Sequence, residues 1–351
     1  MIFLCNIVKY QIEKLYLAFK TDCMLKVLHQ RGHNTYFNIA TEEYLLKNKA
    51  DDFFIIYRNN PSVIVGKHQN TNAEINHQFV ENNDIPVVRR LSGGGTVYHD
   101  LGNINFCFIM NGAEGQLVDF KRYTEPIINI LQGFGVDAFL GGKNDIRVGD
   151  KKISGNAEHV YRKRVLHHGT LLFQSDLNRL NEAIRVDLSK YHDNAVKSIR
   201  STVANIADFL PSPMDVAFFE EILIGFILSY FQESEEYSLV NEDIAAIDAL
   251  IDSKYSTWEW NYGYSPVYEV IKNIETSAGE LTIKVDVVKG YVDDLSFSGV
   301  DISDEILERL RLLLVGKVHS SKDIAIAIAD KEIGDFFQNR LSVNLMPEYF
   351  C

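Results

Sequence analysis

Three consecutive glycines, Gly93 to Gly95, interrupt strand-forming sequence in the segment RRLSGGGTVYHD. Glycine adopts left-handed backbone conformations at little cost and lets a ligand approach the main chain closely. Because strand-like sequence precedes the triplet (IPVVRRL) and follows it (TVYHD), we predict a backbone-lined loop between two strands. Arg89 and Arg90 add positive charge, which suits an acyl phosphate or a nucleotide. The alternative is a glycine hairpin beside an exposed arginine pair.

Helical and strand-like segments alternate irregularly along the rest of the chain. Periodicity predicts helices from Thr35, with Asn38 as its cap, around 73–82, over 125–134 and over 214–231. The runs FFIIY and SVIVG, separated by RNNP, predict a hairpin-like pair. This irregular order indicates an α+β fold, with a mixed β-sheet flanked by helices, and not a regular βαβ array.

The length of 351 residues suggests two domains. The pattern of apolar and polar residues changes in the C-terminal third. It alternates around a Lys289-Gly290 turn and then becomes helical, which predicts a compact ββαα unit. We therefore expect a large domain over 24–260 and a small α/β accessory domain over 266–346. The role of residues 1–23 is left open.

Charge and composition exclude several classes of protein. The 48 acidic residues exceed the 35 basic ones and give a net charge of −13, so we expect no broad binding of nucleic acid. No stretch is apolar enough over a sufficient length to span a membrane. The four cysteines lack CxxC spacing, which gives no zinc or disulfide framework and fits a reducing compartment, by default the cytoplasm.

A second chemically suggestive region is GGKNDIRV followed by KKISGNA. Asn144 and Asp145 offer oxygen ligands for Mg²⁺. Lys152, before a predicted Ser154-Gly155 turn, can place its ammonium on a phosphate or carbonyl oxygen. Taken alone, an Asn-Asp pair more often forms an ordinary turn, and a Lys-Lys pair more often belongs to a solvated loop.

The same region is locally basic. Between Lys143 and His168 there are seven Lys or Arg residues and three acidic ones, a local net charge of +4 inside an acidic protein. Such segregation indicates an anionic ligand or an acidic partner protein, with a solvated basic loop as the alternative.

Other catalytic signatures fail on their context. There is no GxxxxGK[ST] sequence for a Walker loop. The GxGxxA match at 133–138 follows a helical pattern instead of a strand, and the adjacent His167 and His168 lack the spacing of a zinc protease. Cys107 lies in an apolar alternation and is predicted to be a core residue.

Taken in order, these segments resemble the lipoate-protein ligase family. The matching pieces are FNIATEEYLL, SVIVGKHQN, VRRLSGGGTVYHDLGNINFCF, GGKNDIRV, KKISGNA, HHGTLL and WEWNYGYSP. They extend the resemblance from about residue 35 to beyond 340. RRxSGGGxVxHD with a downstream KxSGxA and HHGTLL is a more specific combination than any single piece.

The resemblance implies a two-step acyl ligation in which the domain over 24–260 is catalytic. Lipoate and MgATP would give lipoyl-AMP and pyrophosphate, and one lysine of a carrier domain would then displace AMP. The carriers would be apo lipoyl domains of 2-oxoacid dehydrogenase E2 subunits and the glycine-cleavage H protein. The catalytic fold would be the one shared with biotin ligases and class II aminoacyl-tRNA synthetases.

The resemblance also implies roles for individual residues. Lys152 would contact the lipoate carbonyl and a phosphate oxygen and stabilise charge in both steps. Asn144 and Asp145 would lie at the phosphates and Mg²⁺. The lipoyl-AMP site would be lined by Gly66, Arg90, Ser92, Gly93, Gly94, Gly95, Val97, Tyr98, His99, Ser154, Gly155, His168 and Gly169.

Three alternatives stay open at this point. An ATP-independent octanoyl or lipoyl transferase of the same fold would pass the acyl chain through a cysteine, for which Cys107 is the one internal candidate. A biotin ligase fits less well because its GRGRxGR-type loop is absent. A non-catalytic carrier-binding protein would be expected to lose Lys152 or the glycine triplet, and both are present. One departure from the family is the pair Glu158-His159, where some relatives place an arginine.

Overall fold

The structure is a computed structural model that describes residues 24–112, 117–184, 191–199, 201–231, 233–341 and 347–350. Residues 1–23, whose role the sequence leaves open, lie outside this set. The described residues fall into two compact units. The first contains 24–67, Gln78–Ile184 and Ser198–Ser256; the second contains His68–His77, Arg185–Lys197 and Thr257–Cys351, as far as each is described. The second unit therefore takes in two separate segments, and also residues 257–260, from within 24–260.

Strands and helices alternate irregularly along the described chain. The strands are β1 (Leu25–Gln30), β2 (Asp52–Tyr57), β3 (Ser62–Val65), β4 (Val87–Arg89), β5 (Val97–His99), β6 (Asn103–Asn111), β7 (Ala138–Gly141), β8 (Asp145–Val148), β9 (Lys151–Tyr161), β10 (Arg164–Leu172), β11 (Tyr191–Asp193), β12 (Ser234–Tyr237), β13 (Tyr268–Thr276), β14 (Gly279–Val288) and β15 (Tyr291–Ser298). The α-helices are α1 (Thr35–Asn48), α2 (His77–Asn82), α3 (Phe120–Gly133), α4 (Leu177–Ala183), α5 (Val216–Tyr230), α6 (Asn241–Leu250), α7 (Asp304–Leu314), α8 (Ser321–Ile328) and α9 (Lys331–Leu341).

An eight-stranded mixed sheet forms the centre of the first unit, in the order β12-β1-β2-β6-β10-β9-β8-β7. β1 runs parallel to β12 and β2, and the other neighbours are antiparallel. Phe54 and Ile56 of β2 pack into one core with α3 and α5. Because side chains alternate along a strand, Phe53 and Ile55 point to the opposite face, where α1 contacts β2, β6 and β10. The predicted α+β fold, a mixed sheet flanked by helices, is confirmed.

Helix α1 begins where the sequence predicts a helix, but the predicted cap is wrong. Asn34 caps it, because its side chain accepts a hydrogen bond from the Phe37 N–H. Asn38 lies inside the helix, buried, and its amide donates to Asn59 Oδ1 at 2.9 Å. A side chain with such a buried tertiary partner is not available to the free N–H groups of its own helix.

The predicted pairing of FFIIY with SVIVG is also wrong. β2 lies between β1 and β6 in the large sheet, whereas β3 lies between β4 and β5 in a separate three-stranded sheet. Both strands are buried along their whole length, and each has two other partners. The intervening polar segment therefore connects two sheets and does not close a hairpin.

The glycine triplet lies between β4 and β5, as predicted. These two strands pair with opposite edges of β3, so the segment is not a simple hairpin. Arg89 and Arg90 are 0% and 6% exposed, which removes the alternative of an exposed arginine pair.

Ser154 and Gly155 do not form the predicted turn but lie within β9. The register with β8 shifts there, because Arg147 is opposite Lys152 while Ile146 is opposite Ser154. Ile153 is thus an extra residue on β9, and such a bulge bends a strand and changes the direction of neighbouring side chains. Lys152 is placed next to this bulge.

The second unit contains an antiparallel sheet in the order β11-β13-β14-β15, with α7, α8 and α9. The predicted turn between β14 and β15 is present, and Lys289 and Gly290 both have positive φ values of 52° and 77°. The unit exceeds the expected ββαα arrangement by two strands and one helix. Among the described residues, no helix combines the length and apolar composition needed to cross a bilayer.

Candidate active site

Arg90 holds the glycine loop in shape from within. Its Nη2 donates to the carbonyl oxygens of Gly93 and Gly95 at 2.7 Å, and its Nε donates to Ser92 Oγ at 3.0 Å. Its Nη1 donates to Ile64 O of the small sheet at 3.1 Å. Burial lowers the pKa of Arg90 to about 10, so the side chain still carries its charge at neutral pH. The charge therefore lies beneath the loop, whose glycines are partly exposed or exposed.

Gly66 is fixed to the same structure by the other arginine. Arg89 Nη1 donates to the carbonyl oxygens of Gly66 and Lys67, both at 3.0 Å. The Lys67 N–H in turn donates to Ser92 O at 2.8 Å. The structure thus brings Gly66 to the base of the glycine loop.

Ser198 and Thr202, in a segment that the sequence gives no reason to single out, contact the loop and Lys152 respectively. Ser198 Oγ accepts from the Thr96 N–H at 2.9 Å, and a Cβ on Gly95 would lie 2.9 Å from this oxygen. Further along, Thr202 O accepts from the Lys152 N–H at 2.9 Å. The segment carries no charge pattern or periodicity that points to a site, so only tertiary contacts identify it.

Lys152 forms an ion pair inside the predicted site. Its Nζ lies 2.9 Å from Asp145 Oδ1, and Arg147 Nη2 lies 3.2 Å from Asp145 Oδ2. The Lys152 side chain is 25% exposed. A Cβ on Gly155 would lie 3.0 Å from Lys152 Nζ, so the glycine leaves room for the ammonium. Lys152, Asp145 and Gly155 are therefore brought together.

Asn144 is held by reciprocal hydrogen bonds with Asn156. Its Nδ2 donates to Asn156 O at 2.7 Å, and Asn156 Nδ2 donates back to Asn144 O at 2.9 Å. Gly169 lies beside this pair, since a Cβ there would meet Asn156 Oδ1 at 2.1 Å. Asn144 and Gly169 are thus linked through Asn156, which the sequence did not single out.

The described residues contain no group of three or more His, Cys, Asp or Glu side chains placed to hold a metal ion. Asn144 Nδ2 is engaged, which leaves its side-chain oxygen as the possible ligand next to the Asp145 carboxylate. One carboxylate and one amide oxygen fit Mg²⁺ that arrives with phosphate oxygens, since Mg²⁺ commonly takes few protein ligands. They do not fit a resident metal centre.

Ser92, His168 and Glu42 form a continuous hydrogen-bonded set, called the polar triad below. Ser92 Oγ lies 2.5 Å from His168 Nε2, and His168 Nδ1 lies 2.8 Å from Glu42 Oε2. The other oxygen of Glu42 accepts from the Tyr57 hydroxyl at 2.9 Å. All are buried, but the His168 side chain keeps 11% of its surface exposed. The chain of contacts runs from α1 through β10 to the glycine loop.

Glu42 is a residue of this site that the sequence interpretation missed. A signal was present, because Ile39, Glu42 and Leu46 follow the i, i+3, i+7 spacing of one helix face. All three are at most 3% exposed. A carboxylate on an apolar helix face requires a buried partner, and His168 supplies it.

β5 places its residues on two sides. Tyr98 is buried, and its hydroxyl lies 3.3 Å from Arg179 Nε of α4. Val97 and His99 point to the other side of the strand. The structure therefore separates Tyr98 from the other β5 residues predicted for the site.

His99 presents a buried donor. Its Nδ1 lies 3.0 Å from Asn59 Nδ2. The side-chain oxygen of Asn59 already accepts from Asn38, so Asn59 donates through Nδ2, His99 Nδ1 accepts, and His99 Nε2 carries the ring proton. Burial, with the nearby charge of Arg90, lowers the pKa of His99 to about 3, which keeps the ring neutral. His99 Nε2 has no hydrogen-bond partner among the described residues. A buried unpaired N–H of this kind suits a ligand acceptor.

Cys107 lies directly opposite His168 in the pairing of β6 with β10. It is fully buried, and burial together with the nearby Glu42 raises the pKa of its thiol well above the usual value. The thiolate, which is the nucleophilic form, is therefore disfavoured at this position.

Comparison with known proteins shows the family of the chain. The model of the lipoyl protein ligase A/B catalytic domain matches residues 34–227. Lipoate-protein ligase 1 of Staphylococcus aureus is 40% identical over 302 residues, which cover 86% of this chain and 92% of that protein. Lipoate-protein ligase LplJ of Bacillus subtilis is 38% identical over 320 residues, which cover 90% and 97%.

Solved structures agree with this. The crystal structure of lipoate-protein ligase A bound with ATP has a TM-score of 0.59 at 28% identity, covering 70% of this chain and all of that one (100%). A bipartite lipoate protein ligase of Thermoplasma acidophilum, studied with its E2 lipoyl domain, has a TM-score of 0.60 at 27% identity, covering 69% and 97%.

Proposed function

The chain belongs to the lipoate-protein ligase family, and we propose that its first unit joins lipoate to ATP and then transfers the lipoyl group to a carrier lysine. One observation carries the proposal. The partly exposed Lys152 ammonium and the backbone-lined glycine loop lie in one unit, where Thr202 O accepts from the Lys152 N–H and Ser198 Oγ accepts from the Thr96 N–H of the loop. A cation and a backbone-lined loop in one site suit the binding of an anion.

In the first step the lipoate carboxylate attacks the α-phosphate of ATP and pyrophosphate leaves. Two anions must meet, so the step depends on positive charge and positioning more than on proton transfer. Lys152 would exchange Asp145 for a phosphate or carbonyl oxygen, where it offsets the developing charge. The loop N–H groups and the His99 N–H would bind further acceptors of the adenylate.

Mg²⁺ would be held by Asn144 and Asp145 together with the nucleotide, and it neutralises phosphate charge when bound. Arg147 keeps Asp145 in place on the side away from Lys152. The polar triad and Gly169 would form part of the acyl end of the site. No cysteine nucleophile is needed, because AMP is a good leaving group. The buried thiol of Cys107, with its raised pKa, agrees with this.

We infer that the carriers are apo lipoyl domains of 2-oxoacid dehydrogenase E2 subunits and the glycine-cleavage H protein. The Thermoplasma acidophilum relative, which works with an E2 lipoyl domain, supports the first of these. Exposed basic side chains would favour an acidic carrier surface. Four of the seven basic residues counted between 143 and 168 are exposed: Lys143, Lys151, Arg162 and Lys163.

We also propose that residues 24–260 provide catalysis, that 266–346 form an accessory domain, and that the protein acts in the cytoplasm. Every residue predicted for the site lies in the first unit, which supports the first part. Four cysteines without paired spacing support a reducing compartment.

Replacement of Lys152 tests the proposal. Lys152→Ala should lower pyrophosphate release from lipoate and MgATP by about 10²–10³-fold, the usual cost of one transition-state donor. Lys151→Ala is the matched control, since this exposed neighbour has the same charge on the same strand. Circular dichroism checks that both variants fold.

Two outcomes would contradict the assignment. One is pyrophosphate release at the wild-type rate by Lys152→Ala. The other comes from incubating apo lipoyl domain with lipoate and weighing the product by mass spectrometry, if modification proves independent of MgATP.

A further inference from the structure

The direction of every hydrogen bond in the polar triad follows from its neighbours. The Glu42 carboxylate only accepts, so it takes the Tyr57 hydroxyl proton and the His168 Nδ1 proton. Neutral His168 therefore has a free electron pair at Nε2, and the Ser92 hydroxyl donates to it. The geometry matches that of a hydroxyl, a base and an orienting carboxylate in acyl-transfer enzymes.

The Ser92 oxygen keeps one unused acceptor position. A hydroxyl oxygen has two lone pairs, and one of them accepts from Arg90 Nε at 3.0 Å. No described residue donates to the second lone pair. Ser92 itself is 0% exposed, so a further proton donor would have to reach its oxygen from the side of the adjacent Gly93 and Gly94, which are partly exposed and exposed respectively.

The transfer step of the proposed function produces such a donor. The carrier amine nitrogen attacks the carbonyl carbon of lipoyl-AMP, the N–C bond forms, the C–O bond to AMP breaks, and AMP leaves with the electron pair. The nitrogen must then lose one proton. Adenylation has no corresponding proton to remove.

We propose that the polar triad accepts this proton. The amine N–H passes its proton to Ser92 Oγ, Ser92 passes its own proton to His168 Nε2, and Glu42 stabilises the imidazolium that results. Ser92 touches the reacting amine, whereas Glu42 is a positioning residue that acts through His168. This inference rests on the proposed function and adds a base for its second step.

The charged and titratable groups around His168 come from five elements and a loop. Glu42 of α1, Tyr57 of β2, His99 of β5, Cys107 of β6, His159 of β9 and Arg90 of the loop surround it. Glu42 is the one acidic residue among them, so the stabilisation of a protonated His168 depends on it.

The adjacent histidine provides an internal control. His167 Nδ1 lies 2.8 Å from Glu158 Oε1, the same separation as in the polar triad. His167 points to the opposite face of the sheet, among Phe106, Phe120 and Tyr123, and its Nε2 has no partner among the described residues. This pair has the same residue types at the same separation but no serine.

The experiment measures the two half-reactions separately. Pyrophosphate release from lipoate and MgATP reports adenylation, and single-turnover transfer from synthetic lipoyl-AMP to apo lipoyl domain reports the second step. Glu42→Gln should slow transfer by about 10²–10⁴-fold, change the pH profile of the transfer rate, and slow transfer far more than adenylation, which has no proton to remove. Glu42→Asp should restore part of the transfer rate. Glu158→Gln should change neither the transfer rate nor its pH profile.

Tyr57→Phe provides a second test if Glu42→Gln does not fold. It removes only the hydroxyl that donates to Glu42, so transfer should slow while adenylation stays at the wild-type rate. Equal losses in both half-reactions, an unchanged pH profile of transfer in Glu42→Gln, or an acyl group found on Ser92 by intact mass would overturn the proposal. Absence of lipoyl-AMP formation in the wild type would instead contradict the proposed function, and transfer from synthetic lipoyl-AMP would still test the polar triad.

Discussion

Glu158→Gln should change the way in which the free energy of unfolding depends on pH, and the size of the change follows from the raised pKa of Glu158. Burial raises the pKa of Glu158 from 4.5 to about 7. Between these two values the folded protein holds a proton that the unfolded chain has released, so the free energy of unfolding falls as pH rises. The two pKa values differ by 2.5, and a pKa difference of one corresponds to 1.36 kcal/mol. The loss of free energy of unfolding is therefore about 3 kcal/mol.

Glutamine cannot ionise, so the free energy of unfolding of the variant does not fall in this way as pH rises. Burial lowers the pKa of His167 to about 3, so in this pH range its contribution is the same in both proteins. The variant should therefore gain about 3 kcal/mol relative to the wild type between pH 4.5 and 7, and no more above pH 7.

Urea denaturation at intervals from pH 4.5 to 8, followed by circular dichroism, measures the difference. Glu235→Gln, an exposed position on β12, should give an offset that does not vary with pH. A difference between Glu158→Gln and the wild type that stays constant, or that falls with pH, would refute the argument that burial keeps Glu158 protonated.

Two further predictions concern the strands that carry the site. Cys107→Ser should retain ligation, because its buried thiol is a poor nucleophile, and complete loss of lipoylation in a folded variant would favour the transferase mechanism. Gly169→Ala should reduce the free energy of unfolding by about 1–3 kcal/mol, since its Cβ would meet Asn156 Oδ1 at 2.1 Å and Phe106 Cζ at 2.6 Å. Gly225→Ala, at an exposed position of α5 where a Cβ meets nothing within 4 Å, should be neutral or stabilising, and equal losses in both variants would contradict this reasoning.

Local sequence was sufficient wherever the signal was local. The glycine triplet, its flanking strands and the Lys289-Gly290 turn follow from backbone preferences of a few consecutive residues. The errors concern partners. Asn38 and the FFIIY–SVIVG pair were assigned to local structures, whereas each finds its hydrogen bonds with distant elements. Propensity is a weak guide when tertiary contacts compete with it.

The order of amino acids already contains the chemical groups of the site: a loop without side chains, a lysine that follows an Asn-Asp pair, and two adjacent histidines. The directions in which these groups point follow from long-range contacts. Strand alternation turns His167 and His168 to opposite faces, and packing of α1 on β10 brings Glu42 to one of them. A buried charge needs hydrogen-bond partners, and the folded loop provides them as the carbonyl oxygens of Gly93 and Gly95. Arg90 can therefore point inward. Such arrangements depend on contacts between residues far apart in the chain, which no local pattern records.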